Sequence, residues 1–374
     1  MTDTRGEAEP VESAAEEGID LYDVATWEPR SAVDRAAVAL HGALATNAQL
    51  LVVVLAALVF VAQIGGVLWL VGQNTGLGVV ALLSALPAFG LVLFVWKQDT
   101  VEKEPLDTLA VTFVLAVLFA SFAATINTVL GGLFRSVPLV GMALFFFVVV
   151  APVEETVKWL AVRLYAYRRT EFDAVIDGAV YGAVAGLGFA TIENVLYVVQ
   201  GFIRAQEAGG TQALQAAVGT GFFRALAGPG HVIYSAWAGY YLGLAKYNPE
   251  NRGPIVVKGL LVASLIHGTY NALVTYVPRG FFSTGEFVLF VILFDGVFFY
   301  LLYRKLARYR DTYDDIVEEG DSEGEGVVER GLSDPEAADG SAVDERETDD
   351  QDSTAGTGAE TQAGNDGQEP TEER

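Results

Sequence analysis

Nine polar residues stand inside stretches otherwise apolar enough to cross a membrane: Glu154, Glu155, Lys158, Glu193, Asn194, His231, Ser235, His267 and Asn271. A charged side chain at mid-bilayer costs roughly 2.5–3.5 kcal/mol on insertion scales, so such residues are candidates for function by default. Two histidines and a carboxylate form a known ligand set for a catalytic zinc that keeps one position open. Glu193, His231 and His267 match that set. Glu154 would then be the general base, taking a proton from the attacking water and delivering it to a leaving amine. Glu155 or Lys158 would orient a partner or hold the charge. A metal-free version uses a glutamate to activate water, while the histidines and Asn271 stabilise the oxyanion. The residue types leave both open. Other hydrolase designs fail by absence: there is no HExxH helix, no serine in a GxSG context and no cysteine. The nearest approach to a GxGD motif, Gly186-Leu187-Gly188-Phe189, lacks the aspartate.

Helical spacing brings several of these groups onto shared faces. Glu193 follows Gly186 by 7 residues and Gly182 by 11, which at 100° per residue is within about 20° of both. Gly178, Gly182 and Gly186 form a small-xxx-small face that lets a neighbouring helix approach closely, so Glu193 points into the bundle. His267 and Asn271 are one turn apart, as are His231 and Ser235. Glu154 and Glu155 diverge by about 100°, and Lys158 can reach either. Asp173 and Asp177 open a helix, where a favourable interaction with its dipole is the simpler reading. If Trp159, Tyr165 and Tyr167 mark the inner interface, Glu154 lies near the midplane. His267 is about 18 Å above the inner end of its stretch at 1.5 Å per residue. The site is expected between the midplane and the outer face.

The elements that must position these groups are eight apolar stretches, near 49–71, 78–96, 107–130, 139–166, 174–200, 226–246, 255–277 and 285–303. Each is close to the roughly 20 residues that span a hydrocarbon core of about 30 Å. The expected fold is therefore all-α, a polytopic membrane helix bundle of about eight helices. Residues 212–230 are mildly apolar but hold Arg224 and a Gly228-Pro229-Gly230 breaker, and they read as a re-entrant or interfacial element. With the N-terminus inside, inner segments carry 14 Lys and Arg residues and outer segments 4. The positive-inside rule then puts both termini in the cytoplasm, in a multi-pass protein of the plasma membrane.

The net charge of −24 belongs to the ends. Residues 1–47 carry −7, 48–310 carry +3 and 311–374 carry −20. This divides the chain into an acidic N-terminal segment, 1–47, a transmembrane helical domain, 48–310, that carries the candidate site, and an acidic tail, 311–374. The tail is too polar to bury a core and reads as disordered. Nothing offers the basic face that nucleic acid requires. Oligomeric state is not legible. A proton- or ion-coupled transporter also uses buried Glu, Lys and His, but such proteins often repeat their halves. Here the polar groups all fall in the fourth to seventh stretches.

Ala151-Pro152-Val153-Glu154-Glu155-Thr156-Val157-Lys158 is an EExxK motif, and Phe189-Ala190-Thr191-Ile192-Glu193-Asn194 reads FxxxEN. Phe172-Asp173 and Asp177-Gly178-Ala179-Val180-Tyr181-Gly182 precede the second motif. His231 and His267, the latter in His267-Gly268-Thr269-Tyr270-Asn271, complete the order. The region from about 85 to 305 resembles the PrsW family of intramembrane metalloproteases, related to CAAX-processing and bacteriocin-processing membrane proteases. The resemblance implies site-one cleavage of membrane-anchored proteins, such as anti-sigma factors, on the outer side of the bilayer. It leaves the need for a metal open.

Overall fold

The structure is a computed structural model that describes residues 28–99, 103–210, 212–276 and 283–332. Helix α1 spans Ala32–Gln73, α2 Thr75–Lys97 and α3 Leu106–Arg135. Helix α4 is composite: Gly141–Phe145, a π-helical turn Phe146–Val150, and Ala151–Leu164. Then come α5 Val175–Glu207, α6 Ala213–Lys246, α7 Arg252–Tyr276 and α8 Thr284–Leu332. Each of the eight apolar stretches has become one helix, and there is no strand among the described residues. Six of the helices are long and apolar enough to cross a membrane by length and composition; α4 and α6, which carry much of the polar cluster, fall outside that set. A bilayer offers no hydrogen bonds to an exposed backbone, so helices are the form an apolar chain adopts there. The protein is a multi-pass membrane protein.

The compact unit closes at Ile316. A second, Val317–Arg374, is helical as far as Leu332. Helix α8 continues through 311–332 of the acidic tail, while 333–374 lies outside the described residues, as does 1–27. The rest of the acidic N-terminal segment enters α1 through Ser31, whose hydroxyl accepts the Asp34 amide while Asp34 accepts the Ser31 amide. Such reciprocal capping is worth about 1 kcal/mol.

Burial places α5 at the centre. Of its most apolar window 89% is buried, against 11% for α1 and 17% for α8, many of whose leucines and valines are exposed. The closest packing is between α5 and α6, and glycine permits it. A Cβ at Gly178 would overlap the backbone oxygen of Gly239, one at Gly182 that of Ser235, and one at Gly186 that of His231. The small-residue stripe thus seats the His231 and Ser235 backbones directly on α5. Helix α6 runs without interruption through Gly228-Pro229-Gly230, so the breaker sits inside continuous helix. Proline inside a membrane helix is tolerated where neighbouring helices hold the segment, and here Gly228 packs on Ala88 and Asn194.

The π-turn of α4 immediately precedes Ala151-Pro152. Pro152 has no amide to donate to the turn before it. The wider turn accommodates that loss and resets the helical phase just ahead of Glu154 and Glu155; such bulges are frequent at functional sites.

Candidate active site

Four helices converge on one buried polar group. Helix α4 supplies Glu154, Glu155 and Lys158, α5 supplies Glu193 and Asn194, α6 supplies Arg224, His231 and Ser235, and α7 supplies His267. Glu154, Glu155, Lys158, His231 and His267 are each at most 5% exposed.

The two carboxylates of the EExxK motif separate as their 100° divergence requires. Glu155 pairs with Lys158, Nζ to Oε1 at 2.7 Å, with both side chains at most 1% exposed. Its Oε1 also lies 2.9 Å from His267 Nδ1, and Ser235 Oγ donates to its Oε2 at 3.3 Å. Glu154 turns the other way. Asn127 of α3 donates to its Oε1 at 3.1 Å. Its Oε2 is buried without a hydrogen-bond partner and lies 3.7 Å from His267 Nε2.

These contacts fix both imidazole tautomers. Glu155, charge-balanced by Lys158, accepts the Nδ1–H of His267, so Nε2 presents its lone pair toward Glu154. This is the arrangement that orients a metal-binding histidine. At His231 the order is reversed. An ammonium has no acceptor, so Lys158 Nζ, 2.9 Å away, donates to Nδ1. Nε2 therefore carries the proton and donates to Glu193 Oε2 at 2.8 Å. Phe189 and Tyr234 close the pocket. Lys158 Nζ sits 4.3 Å from the Phe189 ring centroid, and Tyr234 stacks on His267 with centroids 5.1 Å apart.

Glu193 has a further partner that sequence reasoning missed. Arg224 Nη2 donates to it at 2.6 Å, and Arg224 Nε donates to Asn194 Oδ1 at 2.8 Å. Asn194 also donates to the Ser84 carbonyl of α2 at 3.2 Å. This corner is the exposed edge of the site, with side-chain exposures of 14% for Arg224 and 18% for Glu193. Its signal in the sequence is an arginine in the apolar run Phe222-Phe223-Arg224-Ala225-Leu226. Asn127 is likewise a lone amide in an apolar stretch. Asn271, one turn beyond His267, makes no hydrogen bond with the group among the described residues.

One oxygen of Glu154 and one ring nitrogen each of His231 and His267 lie within 4.8 Å of one another, and Glu193 is not part of that triplet. A zinc ligand set with bonds of about 2.1 Å has ligand atoms roughly 3.4 Å apart. The group is thus nearly, but not fully, drawn together.

Residues 104–299, just over half the chain, match the family model described as PrsW family intramembrane metalloprotease. Among curated relatives, the Protease PrsW of Geobacillus kaustophilus is 32% identical over 214 residues, covering 56% of this chain and 86% of the relative. That of Bacillus subtilis is 28% identical over 221 residues, covering 56% and 90%. That of Clostridioides difficile is 27% identical over 197 residues, covering 51% and 76%. No solved structure matches significantly. The matched segment runs from the turn before α3 into α8 and so contains every residue of the buried cluster. The chain is a peptidase of the membrane and belongs to the PrsW family of intramembrane metalloproteases.

Proposed function

We propose that peptide hydrolysis is centred on Glu154, His231 and His267, with Glu193 as the proton carrier beside them. This exchanges the roles that the residue types alone suggest for the two glutamates. The triplet within 4.8 Å carries the reading. Its donor set, two imidazoles and a carboxylate, suits zinc. Glu154 Oε2 is a buried oxygen with no partner, and His267 is already held in the ligand tautomer by Glu155. A zinc ion held there would polarise the scissile carbonyl and lower the pKa of the attacking water.

The remaining groups have definable tasks. Asn127 fixes Glu154 through Oε1 and leaves Oε2 to the site. Lys158 neutralises Glu155 and orients His231 through Nδ1. Glu193 Oε2 accepts the Nε2–H of His231; for that nitrogen to hold a metal its proton would be released while Lys158 passes one to Nδ1, so that the ring stays neutral. Arg224 pairs with Glu193 and aims it at His231.

The His231 tautomer also supports a second reading, without a metal. In it Glu154 takes the proton of water, and the Nε2–H of His231 is one donor to the oxyanion. Asn271, which the sequence suggests as another, remains one turn from His267. The substrate class is a membrane-anchored protein, reached through the Glu193–Arg224 edge. The 14-to-4 charge asymmetry supports cytoplasmic termini in the plasma membrane.

Metal analysis of purified variants, alongside cleavage of a co-expressed library of single-span membrane proteins, tests the assignment. Glu154→Gln should lose both metal and cleavage. Glu193→Gln should retain metal and lose cleavage. The opposite pattern would return the glutamates to the roles expected from sequence. Activity that survives exhaustive chelation would favour the metal-free reading. Full cleavage by His267→Ala would sink both.

A further inference from the structure

At one end of the bundle, more than four turns along α5 from Glu193, a second group of acids is buried. Asp99 follows α2, Glu104 precedes α3, and Asp177 lies in the first turn of α5. Their exposures are 1%, 2% and 1%, and one carboxylate oxygen from each lies within 4.8 Å of the others. Like charges that close repel strongly in a medium of low dielectric.

Glu104 and Asp177 keep carboxylate oxygens without a hydrogen-bond partner. Both oxygens of Glu104 are buried without a hydrogen-bond partner. Asp177 uses Oδ2 to accept the amides of Asp173 and Ala174, at 2.7 and 2.8 Å, which caps α5. Its Oδ1 is buried with no partner. The hydroxyl of Tyr181, one turn after Asp177, is also buried and unpartnered, and Glu104 and Asp177 are its strongest charged neighbours. No Lys or Arg nitrogen pairs with Glu104 or Asp177 among the described residues. The lysines at this end serve backbone carbonyls instead. Lys103 donates to Trp96 and Asp99, and Lys246 to Tyr167 and Phe172. Burial, reinforced by Asp99, pushes the Glu104 carboxyl up to about 9. This marks the cost of leaving the charge uncompensated.

We propose that Asp99, Glu104 and Asp177 form a second cation site, separate from the hydrolytic centre, that holds a hard divalent cation and ties the starts of α3 and α5 to the end of α2. The donors are all oxygen, which selects calcium or magnesium over zinc. A spread of up to 4.8 Å fits directly around calcium, whose bonds of about 2.3–2.6 Å allow opposite ligands roughly 5 Å apart. Magnesium, with bonds of about 2.0–2.1 Å, would need water to complete its contacts. The site is structural: it anchors the helix that carries Glu193.

The full-length protein in detergent, stripped with chelator and melted with added calcium or magnesium, provides the test. The acidic tail also attracts cations, so the reference is Glu104→Gln, which leaves the tail intact. Calcium should raise the wild-type melting temperature by several degrees with saturation, and magnesium by less. The rise should vanish in Glu104→Gln and persist in Glu154→Gln. Should Glu104→Gln not fold, terbium luminescence excited through tyrosine gives an independent reading. Its emission should be displaced by calcium in the wild type and fall in Tyr181→Phe. Absence of a calcium-dependent rise, an equal rise in Glu104→Gln, or loss of the rise in Glu154→Gln would each overturn the proposal. Undiminished terbium emission in Tyr181→Phe would do the same.

Discussion

Lys158→Met isolates the ion pair at the heart of the site. In the native protein Lys158 and Glu155 are at most 1% exposed and 2.7 Å apart. Removing the lysine leaves the Glu155 charge buried with only His267 and Ser235 as partners. Breaking a buried pair on one side costs about 3–5 kcal/mol, whereas replacing both partners with neutral groups of similar size is often close to neutral. Lys158→Met should therefore lower the melting temperature by about 6–10 °C, taking roughly 2 °C per kcal/mol for a chain of this size. The double variant Glu155→Gln, Lys158→Met should recover most of that loss. The coupling energy expected is then about 2–4 kcal/mol. Both variants should remain inactive, because Lys158 also orients His231 and Glu155 fixes the tautomer of His267. The assay is thermal unfolding in detergent for the four members of the cycle, with cleavage of a membrane-anchored reporter measured in parallel. Additive destabilisation, with no recovery in the double variant, would refute the inference that the pair is charge-balanced and buried. An active double variant would show that the histidines need neither partner.

Two further expectations follow from packing and from protonation. Gly182→Ala places a methyl group against the Ser235 carbonyl. It should cost about 1–3 kcal/mol through overpacking and reduce cleavage, because Ser235 lies one turn from His231; Gly90→Ala, which meets open space, is the control, and equal melting temperatures for the two would refute the close approach. The raised Glu104 pKa, about 9 in the folded chain against about 4.3 when unfolded, makes the folded state bind the proton more tightly. Its stabilising contribution is fully present below the unfolded value and is lost as pH rises toward 9. In chelator, wild type should thus lose stability relative to Glu104→Gln between pH 5 and 9, and a constant difference across that range would contradict the burial of an unpaired carboxyl.

The helices were legible because the bilayer leaves the chain little choice. Eight apolar stretches became eight helices within a few residues at most boundaries, since a lipid-exposed backbone must satisfy its own hydrogen bonds. The close approach of α5 and α6 was legible for a local reason: glycines four residues apart share one face whatever lies opposite. Residues 212–230 were less so. Arg224 and the Gly-Pro-Gly sequence read as a break, yet both sit in continuous helix because partners on other helices make them affordable there. Arg224 finds Glu193 and Asn194, and Gly228 finds Ala88. A periodicity argument sees one helix at a time and misses such compensation.

The same limit explains why the roles proposed for the three glutamates rest on contacts that the sequence does not display. Residue types suggest two histidines and a carboxylate, and three glutamates satisfy that description equally. What separates them is each one's second partner. Lys158 claims Glu155, Arg224 claims Glu193, and Glu154 accepts, among the described residues, one hydrogen bond, from the uncharged amide of Asn127. A carboxylate already bound to a cation has less charge to offer another. The remaining oxygen of Glu154 is thus the most available donor in the pocket, although Glu154 is no more buried than its neighbour. The chain has distributed two positive charges among three acids, and the acid left over is the one that faces both histidines.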